Sequence, residues 1–167
     1  MPEPDTRRFA SSRGVPNNPY LPVLLYCGVL LGAASTFESL LDANGWEPRW
    51  RNGVYDYHHF HSTAHETLGF VRGAASIKLG GEDGEVFEVG PGDILVLPAG
   101  TGHKRLSASD DLLVVGAYPP GQHYEVERAA DDDAGLEAAL ARIAAVPLPE
   151  TDPLTGWDGA LLRLWRR

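Results

Sequence analysis

The middle of this sequence, from Trp46 to Pro119, is predicted to be an all-β barrel or sandwich, on three observations. Seven short runs rich in β-branched and aromatic residues follow one another: Val54–His61, Thr67–Val71, Ala75–Leu79, Val86–Val89, Asp93–Leu97, His103–Leu106 and Leu112–Tyr118. Turn-forming pairs separate them, among them Gly80-Gly81, Asp83-Gly84, Gly90-Pro91-Gly92 and Ala99-Gly100. No helical pattern lies between consecutive strands, so a parallel sheet built from βαβ units is excluded.

The flanks read differently. Residues 1–19 are polar and rich in Pro and Asn, and are expected to form an extended arm, with a single domain over 20–167. Leu21–Leu31 is apolar enough for a buried strand, which would also bury Cys27. Ser35 or Thr36 is expected to cap a short helix running to Ala43, with Phe37, Leu40 and Leu41 on one face and Asn44-Gly45 ending it. After Pro119-Pro120-Gly121, the acidic residues Asp131–Asp133 open a helix to about Ala145 that carries Leu136, Leu140 and Ile143 on one stripe. Pro147 and Pro149 stop it, and the apolar tail Leu161–Trp165 is expected to fold back onto the barrel.

Composition limits the function. With 167 residues, 43% hydrophobic and 22% charged, the chain is long enough for one domain with a core and is not of a disordered type. The net charge of −9 argues against nucleic acid and against an anionic membrane surface, since both need clustered Lys and Arg. No apolar run reaches the roughly 20 residues of a membrane-spanning helix. Arg7-Arg8 ahead of an apolar run has the outline of an export signal, but Pro16, Asn17, Asn18 and Pro22 interrupt it. A single cysteine permits no internal disulfide, and a cytoplasmic location is expected.

The histidines carry the chemical signal. Four of the six (His58, His59, His61, His65) fall within eight positions, beside Glu66. On a strand, residues two apart share a face, so His59 and His61 point together, as do Tyr55 and Tyr57 before them. Two imidazoles and one carboxylate form the donor set of a 2-His-1-carboxylate metal site with positions left open for substrate. Strand parity alone favours His65 as the next donor; a turn or bulge at Ser62–Ala64 would bring in Glu66 instead, and both remain open at this point. His58 should face outward, and His123 sits in a turn-rich stretch. Tyr55, Tyr57 and His65 are candidate acids or hydrogen-bond donors in a cavity. Arg105 shares parity with a histidine at 103 and is a candidate for meeting a carboxylate or phosphate; surface solvation is the simpler reading.

The stretch Gly53-x5-His59-x-His61-x4-Glu66-x6-Gly73 resembles the complete first motif of the cupin superfamily, and Gly92-x5-Pro98-x-Gly100-x2-His103 resembles the second. The second motif, over 92–107, ends in Asn in the family, and Ser107 stands there. The run from His59 to Glu66 is similar to a group of small, uncharacterised microbial single-domain cupins. The resemblance implies a double-stranded β-helix, the RmlC-like jelly-roll barrel, with a short N-terminal and a C-terminal helix. It also implies one divalent transition metal (Fe, Mn, Ni or Zn) on His59, His61, Glu66 and His103. The expected function is a metal-dependent enzyme of oxygenase or isomerase type acting on a small organic molecule. A non-catalytic binding or sensing cupin and a metal-free structural barrel are the alternatives, and cupins of this kind often form homodimers.

Overall fold

The structure, a computed structural model, describes residues 2–30 and 32–166. In chain order the elements are β1 (Asp5–Arg7), β2 (Val23–Tyr26), α1 (Ala34–Ala43), β3 (Glu47–Asn52), β4 (His59–Phe60), β5 (Glu66–Arg72), β6 (Ala75–Leu79) and β7 (Glu85–Val89). They continue with β8 (Ile94–Leu97), β9 (His103–Ala108), β10 (Leu113–Tyr118), β11 (Glu127–Arg128), α2 (Asp133–Ala145) and α3 (Ala160–Trp165). A six-stranded sheet in the order β1-β2-β8-β5-β10-β3 faces a five-stranded sheet in the order β11-β4-β9-β6-β7, and every pairing is antiparallel. This is the jelly-roll barrel.

Strand alternation divides the apolar residues between two cores. Val23, Leu25, Leu68, Phe70, Leu95 and Val114 point inward from the larger sheet and meet Ile77 and Leu79 from the smaller one. Their odd or even neighbours, Leu24, Tyr26, Val96, Val115 and Ala117, point outward and are covered by Phe37 and Leu41 of α1 and by Leu161 and Trp165 of α3. The larger sheet is therefore buried on both faces, which explains its near-continuous apolar runs. Gly69 lets the Phe37 ring lie directly on β5, since a Cβ there would stand 2.1 Å from the Phe37 ring edge. Gly92 (φ +99°) and Gly100 (φ +93°) make the turns that begin and end the β8 hairpin region in left-handed conformations suited to glycine.

Several boundaries differ from the sequence expectation. Residues 2–19 do not stand away from the barrel: β1 pairs with β2, Val15 is buried, and Asn17 and Asn18 donate to the carbonyls of Gly80 and Ala99. The expected strand 21–31 shortens to β2, and Leu31 lies outside the described residues. Cys27 is exposed in the turn after β2, not buried in a strand. Helix α1 begins at Ala34, so Ser35 and Thr36 lie inside its first turn, and its N-cap, Ala33, offers no side-chain bond. Within α1, Phe37 and Leu41 are buried whereas Leu40 lies at the surface. The long strand expected at 54–61 is reduced to β4, while β3 was absent from the expectation because its sequence, Glu-Pro-Arg-Trp-Arg-Asn, has neither alternation nor β-branched residues. The helix at 133–145 forms as expected, and the Asp132 side chain caps it by accepting from the Gly135 N–H at 2.7 Å. The tail also returns as expected, with Leu161 and Trp165 buried.

Candidate metal centre

Three imidazoles converge inside the barrel. His59 on β4 and His103 on β9 are directly paired across the antiparallel ladder, which sets their rings 3.9 Å apart between centroids. His61 lies two residues beyond His59 and points the same way. All three are buried, and one ring nitrogen of each lies within 4.8 Å of the others.

Their orientation is fixed from behind. His59 Nδ1 faces the Tyr57 carbonyl at 3.1 Å, His103 Nδ1 faces the Thr101 carbonyl at 3.0 Å, and His61 Nδ1 faces the Glu125 carbonyl. A carbonyl oxygen only accepts, so each Nδ1 carries a proton, and in the neutral ring each Nε2 presents a lone pair to the interior. Burial, with His103 nearby, pushes the His59 imidazole down to about 3, so it is a neutral donor at physiological pH.

Glu66 approaches two of the three imidazoles, those of His61 and His103, from the opposite sheet. Parity fails between His61 and Glu66 because the chain bends at Ser62 and Thr63 and crosses from the five-stranded to the six-stranded sheet, where Glu66, Leu68 and Phe70 all point inward. Its Oε2 stands 3.3 Å from both His61 Nε2 and His103 Nε2, yet makes no hydrogen bond. Burial alone would raise this carboxyl, but the combined pull of His61 and His103 holds it well below the usual carboxylate range. His61 is the counterpart: burial lowers it, and the Glu66 carboxylate together with the Glu125 carbonyl and carboxylate outweighs that and raises it. The other oxygen, Oε1, accepts from the Tyr118 hydroxyl at 2.5 Å, and that hydroxyl accepts from Trp50 Nε1 at 2.8 Å. Burial and the Glu66 charge push the Tyr118 phenol far up, so it keeps its proton and donates.

No family model matches the chain. It is 37% identical over 163 residues to the uncharacterized protein YjlB of Bacillus subtilis strain 168, a match covering 98% of this chain and 97% of that one. The chain belongs to the YjlB family. In fold this YjlB-family protein is a small cupin, since both motifs close on one point inside a jelly-roll barrel. Solved structures similar to it include an oxalate decarboxylase variant from Bacillus subtilis, 16% identical with a TM-score of 0.41 over 78% of this chain. The YjlB-family chain spans about a third (34%) of that protein's length. A DUF861 family protein from Thermotoga maritima is 19% identical, with a TM-score of 0.33 over 63% of this chain and 99% of its own. At that level the likeness says nothing about a reaction.

The cluster opens into a cavity of about 500 Å³ walled by Trp50, Leu68, Leu112, Tyr118, Tyr124 and Val126. Tyr55 lines it and is half exposed; Tyr57 stacks on Tyr55 at 5.0 Å, lies under the Arg128 guanidinium and does not reach the cavity wall. Arg105 lines the cavity and is half-buried rather than solvated. His65 points the other way: its Nδ1 accepts from the Ala99 N–H at 2.9 Å, its ring packs on Trp165, and burial pushes it down to about 3. His58 pairs with Glu82 on the outside and His123 is exposed. Trp50, Tyr118, Tyr124 and the Glu125 carbonyl were not foreseen. One signal was present: Gly116 interrupts an otherwise apolar strand, and a Cβ there would stand 2.0 Å from the Trp50 indole that lies over it.

Proposed function

We propose that this YjlB-family cupin is a metal-dependent enzyme. One divalent transition metal, Fe, Mn, Ni or Zn, would sit on His59, His61, His103 and Glu66, and the reaction, of oxygenase or isomerase type, would act on a small organic molecule in the barrel. One observation carries this reading. Glu66 Oε2 is a buried carboxylate oxygen with no hydrogen bond, and the Nε2 atoms of two imidazoles stand 3.3 Å from it. A buried charge so placed calls for a cation among the nitrogen donors, and imidazole with a single carboxylate oxygen suits the borderline divalent metals.

Such an ion, when bound, would supply Lewis acidity toward a substrate oxygen or activation of dioxygen. The chain's own residues do the rest. Tyr118 occupies Glu66 Oε1, leaving one oxygen as donor. The three backbone carbonyls hold the proton of each neutral imidazole on Nδ1, so that Nε2 is the atom offered to a cation. A chain whose single cysteine has no disulfide partner suits a reduced cytoplasm, and pairing of two copies is the expected assembly.

Metal analysis of tag-free protein tests this. About one metal per chain is expected, with loss in His61→Ala, His103→Ala and Glu66→Gln and retention in His123→Ala. Protein that neither holds nor takes up Fe, Mn, Ni or Zn ends the reading. A metal-loaded protein that binds members of a substrate panel unchanged identifies a sensor instead.

A further inference from the structure

Among the residues lining the cavity, Arg105 is the only Lys or Arg, and it makes no ion pair among the described residues. Arg7, Arg13, Arg49, Arg51, Arg142 and Arg163 each stand within 4 Å of a carboxylate, and the other described arginines without an ion pair, Arg8, Arg72, Arg128 and Arg166, are all exposed, whereas Arg105 is half-buried. In a chain of net charge −9 there is no shortage of acids to pair with. Leaving a guanidinium unpaired at a half-buried wall is unfavourable unless something else meets it.

The position is also built. Opposite β6, Ile77 pairs with Arg105 and Ser76 with Ser107, so Leu106 is the extra residue of a β-bulge. Without that residue His103 and Ala108, five apart, would face opposite ways; with it, His103, Arg105 and Ala108 all line the cavity. The Arg105 backbone N–H donates to the Tyr55 carbonyl at 2.8 Å and its Nε donates to the Val54 carbonyl at 2.9 Å. The side chain is thereby held against the wall, and its two terminal amino groups keep their donors for a ligand.

We propose that the cavity takes an organic carboxylate, whose head group is bound by the Arg105 amino groups and whose body lies along the apolar wall of Trp50, Leu112 and Val126. This rests on the reading of the cavity as a substrate site. A carboxylate suits it better than a phosphate, because a single guanidinium matches a single negative charge and the acidic Asp56 also lines the cavity. His103 lies two residues away on the same face, about 6.6 Å along the strand. The carboxylate and the group nearest the imidazoles therefore belong to different parts of one molecule.

Titration calorimetry on zinc-loaded protein, with phenylacetate against the neutral isostere phenylacetamide, tests the assignment. Wild type should prefer phenylacetate at least tenfold. Arg105→Gln should abolish that preference without altering zinc content, and Arg105→Lys should keep part of it; a melting curve for each variant verifies folding. Equal binding of acid and amide by wild type, no binding of either, or a preference that survives in Arg105→Gln overturns the inference, and tighter binding of phenyl phosphate overturns the choice of carboxylate. Zinc content is read separately. An Arg105-dependent preference in protein that holds no metal would sink the metal reading and leave this one standing, and a loaded protein without the preference would do the reverse.

Discussion

Replacing Tyr118 by Phe removes one oxygen atom and leaves the ring packing in place. That oxygen holds two bonds: it donates to Glu66 Oε1 at 2.5 Å and accepts from Trp50 Nε1 at 2.8 Å. A bond to a charged group contributes about 1.5–3 kcal/mol and a neutral one about 1 kcal/mol, and here the carboxylate oxygen is left buried without a donor. The expected loss in metal-free protein is therefore about 3 kcal/mol. For a chain of this size that lowers the melting temperature by roughly 6–12 °C. Metal affinity should fall by roughly tenfold or more, because Glu66 loses the partner that orients it. The stability deficit should shrink in zinc-loaded protein, where the cation meets the same carboxylate. Trp50→Phe, which deletes the neutral bond and part of the indole packed over Gly116, should cost about 2 kcal/mol or more but leave the Tyr118 bond to Glu66 in place. Calorimetric melting of both forms, with chelator competition for the metal, reads all of this. A Tyr118→Phe protein that melts with wild type and holds metal equally well would refute the relay.

Two further outcomes follow from the packing. In metal-free protein His59 and His65 are pushed down to about 3, so below about pH 6.5 the unfolded chain binds protons that the native one does not, and stability falls on acidification. His61, raised, contributes stability that is lost as pH rises, which offsets part of the effect; urea unfolding should show a net loss of about 2–4 kcal/mol from pH 7 to pH 5, and equal stability at both would contradict it. Gly69→Ala and Gly116→Ala should each destabilise by about 1–3 kcal/mol through overpacking, against Phe37 and Trp50 respectively, but only Gly116→Ala should weaken metal binding, since only Trp50 leads to Glu66. A loaded Gly116→Ala protein with wild-type affinity would separate the indole from the site.

Much of the barrel was legible because alternation and turn chemistry are local signals. Ala75–Leu79 matches β6, and Thr67–Val71 and Leu112–Tyr118 fall within a residue of β5 and β10. What resisted was decided by tertiary pairing. Strand β3 carries Pro48 and three charged residues, yet it pairs along β10 at the sheet edge. The choice between His65 and Glu66 depended on a crossing between sheets, which no single-strand parity rule contains. His59 and His61 could be read as partners from their spacing, whereas their closeness to His103 depends on a cross-strand pair 44 positions away in sequence. Tyr118 and Trp50 gave no such spacing; their link to Glu66 exists only once three strands lie side by side.

The acceptors behind the three imidazoles are all main-chain oxygens, belonging to Tyr57, Thr101 and Glu125. Exchanging the side chains at those positions leaves the oxygens where they are, so the tautomers are insulated from point substitution and answer only to the path of the backbone. Insertions or deletions in the loops around 57, 101 and 125 are thus the changes that would turn the nitrogen lone pairs.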